Sequence, residues 1–267
     1  TCQRRSPDEK VRDLYLHTSP EYAMKRLRGR GAPSCYQLAR VFRDGEASDT
    51  HVCEFTMLEF YRRGGALAAI EDDVIDCVKE VARALRVQGP GAYRKTTVSE
   101  LFREAGLPDP LQWPAETEAA ASTARVRAAP GDAWDDVYFR AFFEAVEPRL
   151  DPNTLYLVGH YPARMAALAE LDPQDPRRAL RTEVFWGALE LGNGYQELCD
   201  PIEQRRRFEE DLILRRRLGR PRLPIDDALL RDLRGLPSAA GIAIGVDRLF
   251  MKMLGAARLS EVLPLLP

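Results

Sequence analysis

The stretch YQLARVFRDGEASDTHVCEFTMLEFY, residues 36–61, decides how the rest of the chain is arranged. Two runs with strand-like alternation flank a polar, turn-forming loop, and this pattern predicts an antiparallel hairpin with a long tip. Successive side chains of a strand point to opposite faces. One face of the second strand is therefore expected to carry Phe55, Met57, Glu59 and Tyr61.

The residue types in this hairpin suit a ligand better than bulk water. Glu59 stands between apolar and aromatic residues on its face. Arg43 and His51, at the two ends of the loop, flank Phe55. A guanidinium binds phosphate and an aromatic ring stacks on a base, so this set predicts a nucleotide site. A half-buried hairpin with a solvated rim is the alternative, and the hairpin alone does not separate the two interpretations.

Length and composition limit the classes of protein. A chain of 267 residues can bury a full core as one large domain or as a domain with an insertion. The net charge of −2 gives no general attraction to nucleic acid, so tRNA is not an expected partner. No apolar run is long enough for a membrane span, and no membrane association is expected. Five scattered cysteines without a CxxC pair favour reduced thiols and a cytoplasmic location.

Upstream of the hairpin, residues 14–28 predict a short strand, a turn and a helix. Thr18 or Ser19 can cap this helix, and Pro20 fits its first position. Glu21 then lies in the first turn, where a carboxylate interacts favourably with the helix dipole. That local role alone accounts for a glutamate at this position.

Downstream, helical spacing of apolar residues predicts amphipathic helices over residues 66–86 and 134–146, and residues 201–218 predict a helix rich in charges of both signs. The apolar stripe of the first consists of Ile70, Val74, Val78, Val81 and Leu85. Residues 106–133 are rich in Pro and Ala, and this composition predicts a poorly organised insertion between the two halves of the site.

A ladder of glutamates marks the segment 181–198. Glu183, Glu190 and Glu197 recur seven residues apart among mostly apolar residues, and the intervening glycines argue against a helix. We predict strands bent or joined at Asn193-Gly194. Carboxylates that face a half-buried sheet need cations, and Mg²⁺ carried by ATP and a substrate ammonium are two candidates. Structural ion pairs with nearby arginines are the alternative.

Residues 241–255 close the candidate site. Small and branched residues alternate there, and they predict a strand whose glycines allow a ligand to approach the backbone. Asp247-Arg248 then begins an apolar helix. An arginine at this junction can lie over a purine ring opposite Phe55 and can also reach phosphates.

Four segments together resemble, in order, the motifs of class II aminoacyl-tRNA synthetases in their lysyl form. They are TSPE at 18–21, FRDGE followed by HVCEFTMLE at 42–59 (similar to motif 2), ELGNGYQEL at 190–198, and GIAIGVDR at 241–248 (similar to motif 3). The chain is most similar to the elongation factor P–(R)-β-lysine ligase family, a stand-alone relative of the lysyl-tRNA synthetase catalytic domain. This resemblance implies an α+β fold, with an antiparallel sheet flanked by helices and one catalytic domain over residues 1–267.

The resemblance also implies an ATP site. An amino-acid carboxylate attacks the α-phosphate of ATP, and such a step depends on positioning and charge neutralisation. Arg43 and Arg248 are the implied catalytic residues, and Glu183 and Glu190 are implied to hold Mg²⁺ on the phosphates. The implied ATP-binding residues are Arg43, Glu46, His51, Phe55, Glu190, Leu191, Gly245 and Arg248.

For the amino acid, the resemblance implies a pocket formed by Ser19, Glu21, Glu59, Tyr61, Glu197 and Ala243. Glu197 is implied to take the side-chain ammonium of the substrate. Lysyl-tRNA synthetases generally have glycine in place of Ala243, and a methyl group reshapes the pocket. Two positions depart from the pattern: Val52-Cys53 replaces the usual Asn-Pro, and Gln196 replaces His or Ser.

The implied acceptor is a lysine of elongation factor P, and the implied activated substrate is lysine or (R)-β-lysine. The resemblance implies a homodimer, whose interface is built by motif 1 in this class. Before residue 36 we find neither motif 1 nor room for an anticodon-binding domain. Either N-terminal residues are omitted or the element has been lost, and we expect omission. Charging of tRNA by a lysyl-type enzyme and a non-catalytic paralogue that binds ATP or amino acid are the two alternatives. Only Val52-Cys53 favours the last.

Overall fold

The computed structural model describes residues 2–5, 11–45 and 47–263. Within them, an eight-stranded sheet carries the candidate site, and helices flank it. The strands are β1 (Cys2–Arg5), β2 (Val11–Leu14), β3 (Cys35–Phe42), β4 (Glu54–Arg63), β5 (Ala92–Thr97), β6 (Thr154–Pro162), β7 (Leu171–Asp172), β8 (Asp175–Trp186), β9 (Leu189–Gln196) and β10 (Ala239–Gly245). The α-helices are α1 (Glu21–Gly29), α2 (Leu67–Leu85), α3 (Val98–Glu104), α4 (Thr117–Ala124), α5 (Trp134–Ala141), α6 (Pro201–Arg217), α7 (Asp227–Leu233) and α8 (Val246–Met253).

The strand order of the large sheet is β3-β4-β10-β9-β8-β6-β5, and β7 pairs with β8. Neighbouring strands are antiparallel except for β5 and β6, which are parallel. β1 and β2 form a separate antiparallel pair. The predicted α+β class is confirmed. This order places three strands side by side: β4, from the segment similar to motif 2; β10, from the segment similar to motif 3; and β9, which carries Glu190.

The hairpin of residues 36–61 forms as predicted, with Tyr36 opposite Phe60 and Phe42 opposite Glu54. Along β4 the burial alternates, because the side chains of Met57, Glu59 and Tyr61 lie on the covered face. That face carries the candidate site.

The turn between β8 and β9 is not where the sequence predicted it. The strands are joined at Gly187-Ala188, whereas Gly192 and Gly194 lie inside β9. A Cβ atom on Gly192 would lie 2.4 Å from the carbonyl oxygen of Ala243, and one on Gly194 would lie 2.8 Å from that of Gly241. These glycines allow close contact with β10 and do not form a turn.

Helix α2 covers one face of the sheet through Ile70, Val74 and Val78, which are buried as predicted. Val81 is only half-buried and Leu85 is exposed, since Ala82 completes the buried stripe. Helix α5 continues as a π-helical turn over Phe142–Val146. The apolar residues that give this segment its helical spacing are buried: Trp134, Val137, Tyr138, Phe142 and Val146. Short 3-10 turns cover Pro110–Gln112, Glu147–Arg149, Ala163–Met165 and Leu259–Glu261.

The prediction of a poorly organised insertion at residues 106–133 was wrong. The segment contains a 3-10 turn and helix α4, and Trp113 packs in the core 5.6 Å from the ring of Trp134. The Trp113 indole N–H donates to the carbonyl of Pro108. The prolines divide the segment into short elements, but its Trp and Ala side chains still bury enough apolar surface to order it.

Helix α1 begins one residue later than predicted, with Pro20 at the cap position. The Ser19 hydroxyl accepts the backbone N–H of Glu21 at 2.9 Å and donates to a Glu59 carboxylate oxygen at 2.9 Å. Ser19 thus ties the start of α1 to strand β4. No helix in the described part of the chain is long and apolar enough to cross a membrane.

Candidate active site

Two adjoining cavities lie on one face of strands β4, β10 and β9. The larger has a volume of about 280 Å³ and the smaller about 110 Å³. Four residues line both cavities and so form the wall between them: Arg43, Met57, Asn193 and Ala243.

The strand register explains how the cavities come to share a wall. Ala243 of β10 lies opposite Glu59 of β4 on one side and opposite Asn193 of β9 on the other. Asn193 in turn lies opposite Glu183 of β8. Directly opposed residues of antiparallel strands share a face and lie about 5 Å apart. A single row across the sheet therefore runs from the smaller cavity past the junction to Glu183.

The larger cavity contains the predicted nucleotide residues Arg43, His51, Phe55, Glu190, Leu191, Gly245 and Arg248. Glu46, the remaining predicted ATP residue, lies outside the described residues. The Arg43 guanidinium lies over the Phe55 ring, 5.3 Å from its centroid. A purine would therefore stack on Phe55 only where Arg43 leaves the ring free.

Backbone carbonyls fix Arg248. Its Nε donates to the carbonyl of Thr50 at 3.0 Å, and its Nη1 donates to that of Glu190 at 2.8 Å. The neighbouring Asp247 carboxylate accepts the backbone N–H of Thr56 at 2.6 Å, which ties the start of α8 to β4. These bonds orient a planar guanidinium in the cavity that also contains Phe55.

The loop of the hairpin is folded around His51. Ser48 and His51 pair through their backbones, and the Ser48 hydroxyl lies 2.9 Å from His51 Nδ1. The Arg43 N–H donates to the carbonyl of Cys53 at 2.8 Å. The replacement of Asn-Pro by Val52-Cys53 therefore leaves the base of the hairpin closed.

The smaller cavity brings together the predicted amino-acid residues, and its chemistry is acidic. Its lining includes Ser19, Glu21, Glu59, Tyr61, Glu197 and Ala243. Both oxygens of Glu59 accept hydrogen bonds, one from Ser19 and one from the Tyr61 hydroxyl at 2.6 Å. Three carboxylates thus face a space of about 110 Å³.

Lys25, which the sequence motifs did not assign to the site, joins two of these carboxylates. Lys25 Nζ lies 2.7 Å from Glu21 Oε1 and 2.6 Å from Glu197 Oε2, and Lys25 is only 2% exposed. Burial alone would lower the pKa of Lys25, but Glu197 and Glu21 raise it above its usual value, so Lys25 stays charged. Glu197, expected to meet the substrate, already has an internal partner. The Glu21–Lys25 spacing of i, i+4 on a helix was the available signal.

Burial is the largest influence on the pKa values of Glu59 and Glu197. It raises the pKa of Glu59 to about 7, and the charge of Glu21 adds to this effect. It also raises the pKa of Glu197 to about 7 against the opposing charge of Lys25. Lys25 and Arg43 supply two positive charges against three carboxylates, so the cavity is suited to a ligand with a net positive charge.

The predicted metal residues border a further cavity as well. Glu190 lines both the larger cavity and this neighbouring one, whereas Glu183 lines only the latter. Glu183 accepts hydrogen bonds from the Tyr161 hydroxyl at 2.6 Å and from Arg181 at 2.5 Å. Glu183 therefore forms a structural ion pair with Arg181, which is the alternative that the sequence left open for the glutamate ladder. Burial, followed by the charge of Glu183, raises the pKa of Glu190 to about 7.

Glu183 and Glu190 could bind a metal ion only if most of its ligands came from substrate and water. Across residues 2–5, 11–45 and 47–263 no group of three or more His, Cys, Asp or Glu side chains forms a metal site. Mg²⁺ is typically held by one or two carboxylates together with substrate phosphates and water. The Glu190 carboxylate, with Glu183 beside it, fits this mode.

Asn193 is a second residue that the sequence analysis did not assign to the site. It lines both cavities, and its amide nitrogen donates to the Tyr195 hydroxyl at 2.9 Å. Its amide oxygen is buried and has no hydrogen-bond partner among the described residues. An unpaired buried acceptor at the junction of two cavities is costly unless a ligand donates to it. The Asn-Gly pair resembled a turn signal, and that interpretation hid this position.

Comparison with known proteins identifies the fold family. A family model described as tRNA synthetases class II (D, K and N) matches residues 3–265. A protein of Edwardsiella ictaluri named elongation factor P–(R)-β-lysine ligase is 39% identical over 252 residues, which cover 94% of this chain and 76% of the relative. Proteins with the same name from Histophilus somni (38% over 257 residues, 96% and 78%) and Yersinia enterocolitica (39% over 254 residues, 94% and 76%) are similarly related. The chain therefore belongs to the class II tRNA synthetase family and is an ATP-dependent, aminoacyl-adenylate-forming ligase.

Proposed function

We propose that this enzyme activates a diamino acid, lysine or (R)-β-lysine, and transfers it to a lysine side chain of elongation factor P. The observation that carries the proposal is the position of Arg43. Its side chain lines both the cavity that contains Phe55 and Arg248 and the cavity that contains three carboxylates. The relatives' name, elongation factor P–(R)-β-lysine ligase, supports the choice of substrate and acceptor.

In the first step, an oxygen of the amino-acid carboxylate attacks the α-phosphorus of ATP. The new P–O bond forms as the bond to the β-phosphate breaks, and pyrophosphate leaves. Arg43, in the wall between the cavities, neutralises charge on the transferred phosphate. Arg248 orients the nucleotide from its two carbonyl contacts. Glu190, with Glu183 beside it, would hold Mg²⁺, which would neutralise charge on the phosphates.

Charge balance in the smaller cavity favours a substrate with two ammonium groups. With all groups ionised, Glu21, Glu59 and Glu197 contribute three negative charges, and Lys25 and Arg43 contribute two positive charges, so the cavity carries a net charge of −1. A diamino acid, with two ammonium groups and one carboxylate, carries +1 and balances this set. A monoamino acid has no net charge and would leave one carboxylate unmatched, which is unfavourable.

Ala243 supports the choice between the two diamino acids. Its methyl group lies at the junction of the cavities, in the cross-strand row between Glu59 and Asn193. The substrate atoms next to the carboxylate must fit beside this methyl. We propose that this requirement favours (R)-β-lysine over α-lysine.

In the second step, the ε-amine of the acceptor lysine attacks the acyl carbon of the adenylate. An N–C bond forms, the C–O bond to AMP breaks, and the amine loses a proton, so the product is an amide. The test has two stages. Pyrophosphate exchange with (R)-β-lysine, α-lysine and ornithine is expected to be fastest with (R)-β-lysine. Purified elongation factor P is then expected to gain the acyl group, whereas unacylated lysine-specific tRNA is expected to remain unacylated.

Equal exchange rates with (R)-β-lysine, α-lysine and ornithine would contradict the assigned substrate. Acylation of tRNA in place of elongation factor P would support the lysyl-tRNA synthetase alternative instead.

A further inference from the structure

A third cavity, of about 450 Å³, adjoins the cavity that contains Phe55 and Arg248, and its residues on helix α5 and the following π-helical turn have no assigned role in the activation step. We call the cavity that contains Phe55 and Arg248 the nucleotide cavity. The third cavity shares its inner wall with the nucleotide cavity through four residues: Thr50, His51, Glu190 and Arg248. Strands β6 and β8 form its floor, and helix α5 with the following π-helical turn forms its outer side. We call it the aromatic cavity.

Two phenylalanines form the mouth of the aromatic cavity. The rings of Phe139 and Phe143 stack at 5.9 Å with an interplanar angle of 20°, and the residues are 38% and 54% exposed. Their neighbours Tyr138 and Phe142 on the same segment are buried in the core, so the fold does not require Phe139 and Phe143 for its interior packing. An exposed aromatic pair at a cavity mouth is typical of a site where a partner packs.

The lining carries charges of both signs, but its two arginines already contact groups of the protein. Arg181 pairs with Glu183 at 2.5 Å, and Arg248 donates to two backbone carbonyls. Glu147 lies at the mouth, four residues beyond Phe143, and makes no ion pair with the part of the chain that the structure describes. The Glu147 carboxylate at the mouth can therefore attract a cation, and so can the Glu190 carboxylate at the inner wall once pyrophosphate has left.

The inner end of the aromatic cavity is close to the reaction centre. Glu183 lines it and lies directly opposite Asn193, which borders both cavities of the activation site. One strand spacing, about 5 Å, separates the two residues. A side chain that enters the aromatic cavity can therefore approach the point where carboxylate and α-phosphate react.

We propose that the aromatic cavity is the entrance for the acceptor lysine of the protein substrate. Phe139 and Phe143 pack against the methylene groups of this lysine, while Glu147 and Glu190 attract its ammonium group. A long alkyl stem that ends in a cation matches an aromatic mouth with carboxylates at both ends. Pyrophosphate leaves before the amine arrives, so Glu190 faces the acceptor in the second step. This inference rests on the proposed function.

The test separates activation from transfer. The variants are Phe139→Ala/Phe143→Ala, Glu147→Lys and the conservative Glu147→Asp. Pyrophosphate exchange with (R)-β-lysine is expected to stay within about twofold of the parent, because none of these side chains lines the activation cavities. The kcat/KM for transfer to elongation factor P is expected to fall at least about tenfold in the first two variants, mainly through KM, and to be largely retained in Glu147→Asp.

Two controls make the result specific. Tyr36→Ala removes an aromatic side chain that is 74% exposed and lines none of the three cavities, and both steps are expected to be unchanged. Hydroxylamine captures the adenylate without docking, so hydroxamate formation is expected to be normal in every variant.

Unchanged transfer in the double variant and in Glu147→Lys would overturn the inference. Loss of activation and transfer together, or a change in oligomeric state, would also overturn it, because the aromatic pair would then support the fold or self-association. Absence of exchange in the parent enzyme would instead refute the proposed function.

Discussion

The two cavities of the activation site are built from different kinds of contact. In the amino-acid cavity, buried ionised side chains hold one another, as Lys25 does between Glu21 and Glu197. In the nucleotide cavity, backbone carbonyls hold the key arginine, Arg248. Backbone groups do not titrate and are not lost by substitution. The comparison teaches that charge changes should disturb the amino-acid cavity most, and that Arg43 should matter to both.

The largest effect is expected at the shared wall. Arg43→Ala removes a cation that lines both cavities and should reduce adenylate formation by about 10²–10³-fold, as loss of a charge-stabilising donor does in other enzymes. Pyrophosphate exchange at saturating substrates measures this effect, and thermal unfolding checks that the fold is retained. Activity within a few-fold of the parent would remove Arg43 from the mechanism.

Next is the internal cation of the amino-acid cavity. Lys25→Met leaves Glu21 and Glu197 without their partner, and the free energy of unfolding is expected to fall by about 3 kcal/mol. Urea denaturation measures the change. The matched control is Lys79→Met, since Lys79 is 53% exposed, and a change of no more than about 0.5 kcal/mol is expected there. Equal stability of the two variants would show that Lys25 does not balance the carboxylates.

The pH dependence of stability tests whether buried titrating groups control the amino-acid cavity. The folded-state pKa of Glu59, about 7, lies above its ordinary value of 4.5, so the folded protein binds more protons than the unfolded chain between these pH values. The stabilisation from Glu59 is complete below pH 4.5 and is lost as pH rises through 7. Glu59→Gln should therefore reduce the fall in unfolding free energy over this range by about 2 kcal/mol. Parallel pH curves for parent and variant would contradict the buried state of this carboxyl group.

The smallest effect is expected from a single hydrogen bond. Tyr61→Phe removes the hydroxyl that donates to Glu59 at 2.6 Å while the ring stays in place. The KM for the diamino acid should rise about threefold to tenfold, and the KM for ATP should be unchanged because Tyr61 lines only the amino-acid cavity. Tyr36→Phe, on the exposed side of the hairpin, is the control. Equal rises in both KM values would indicate that the cavities are not separable.

Sequence patterns were sufficient where local periodicity and burial agree. The hairpin of residues 36–61 follows from alternation, and the structure confirms it. Helical spacing also predicts the buried stripe of α2, of which Ile70, Val74 and Val78 are buried. The resemblance to class II synthetases placed Phe55 and Arg248 at one site, and both residues line one cavity.

Contacts between distant parts of the chain could not be predicted in this way. The Lys25–Glu197 pair joins residues far apart in sequence, and nothing in either local pattern specifies the partner. Asn193-Gly194 resembled a turn signal. The structure instead requires Gly192 and Gly194 for the close approach of β10, a tertiary contact that the local sequence does not show. Residues 106–133 resembled a loose insertion because proline content hides the burial of Trp113.

The most direct test of the account is the affinity for a stable analogue of the acyl-adenylate, with (R)-β-lysine joined to adenosine through a sulfamoyl group. One molecule of this analogue would occupy both cavities and pass Arg43 in their common wall. Calorimetry is expected to give a Kd at least about 10³-fold below that of ATP or (R)-β-lysine alone. A Kd no lower than that of ATP would show that the two cavities do not form one active site.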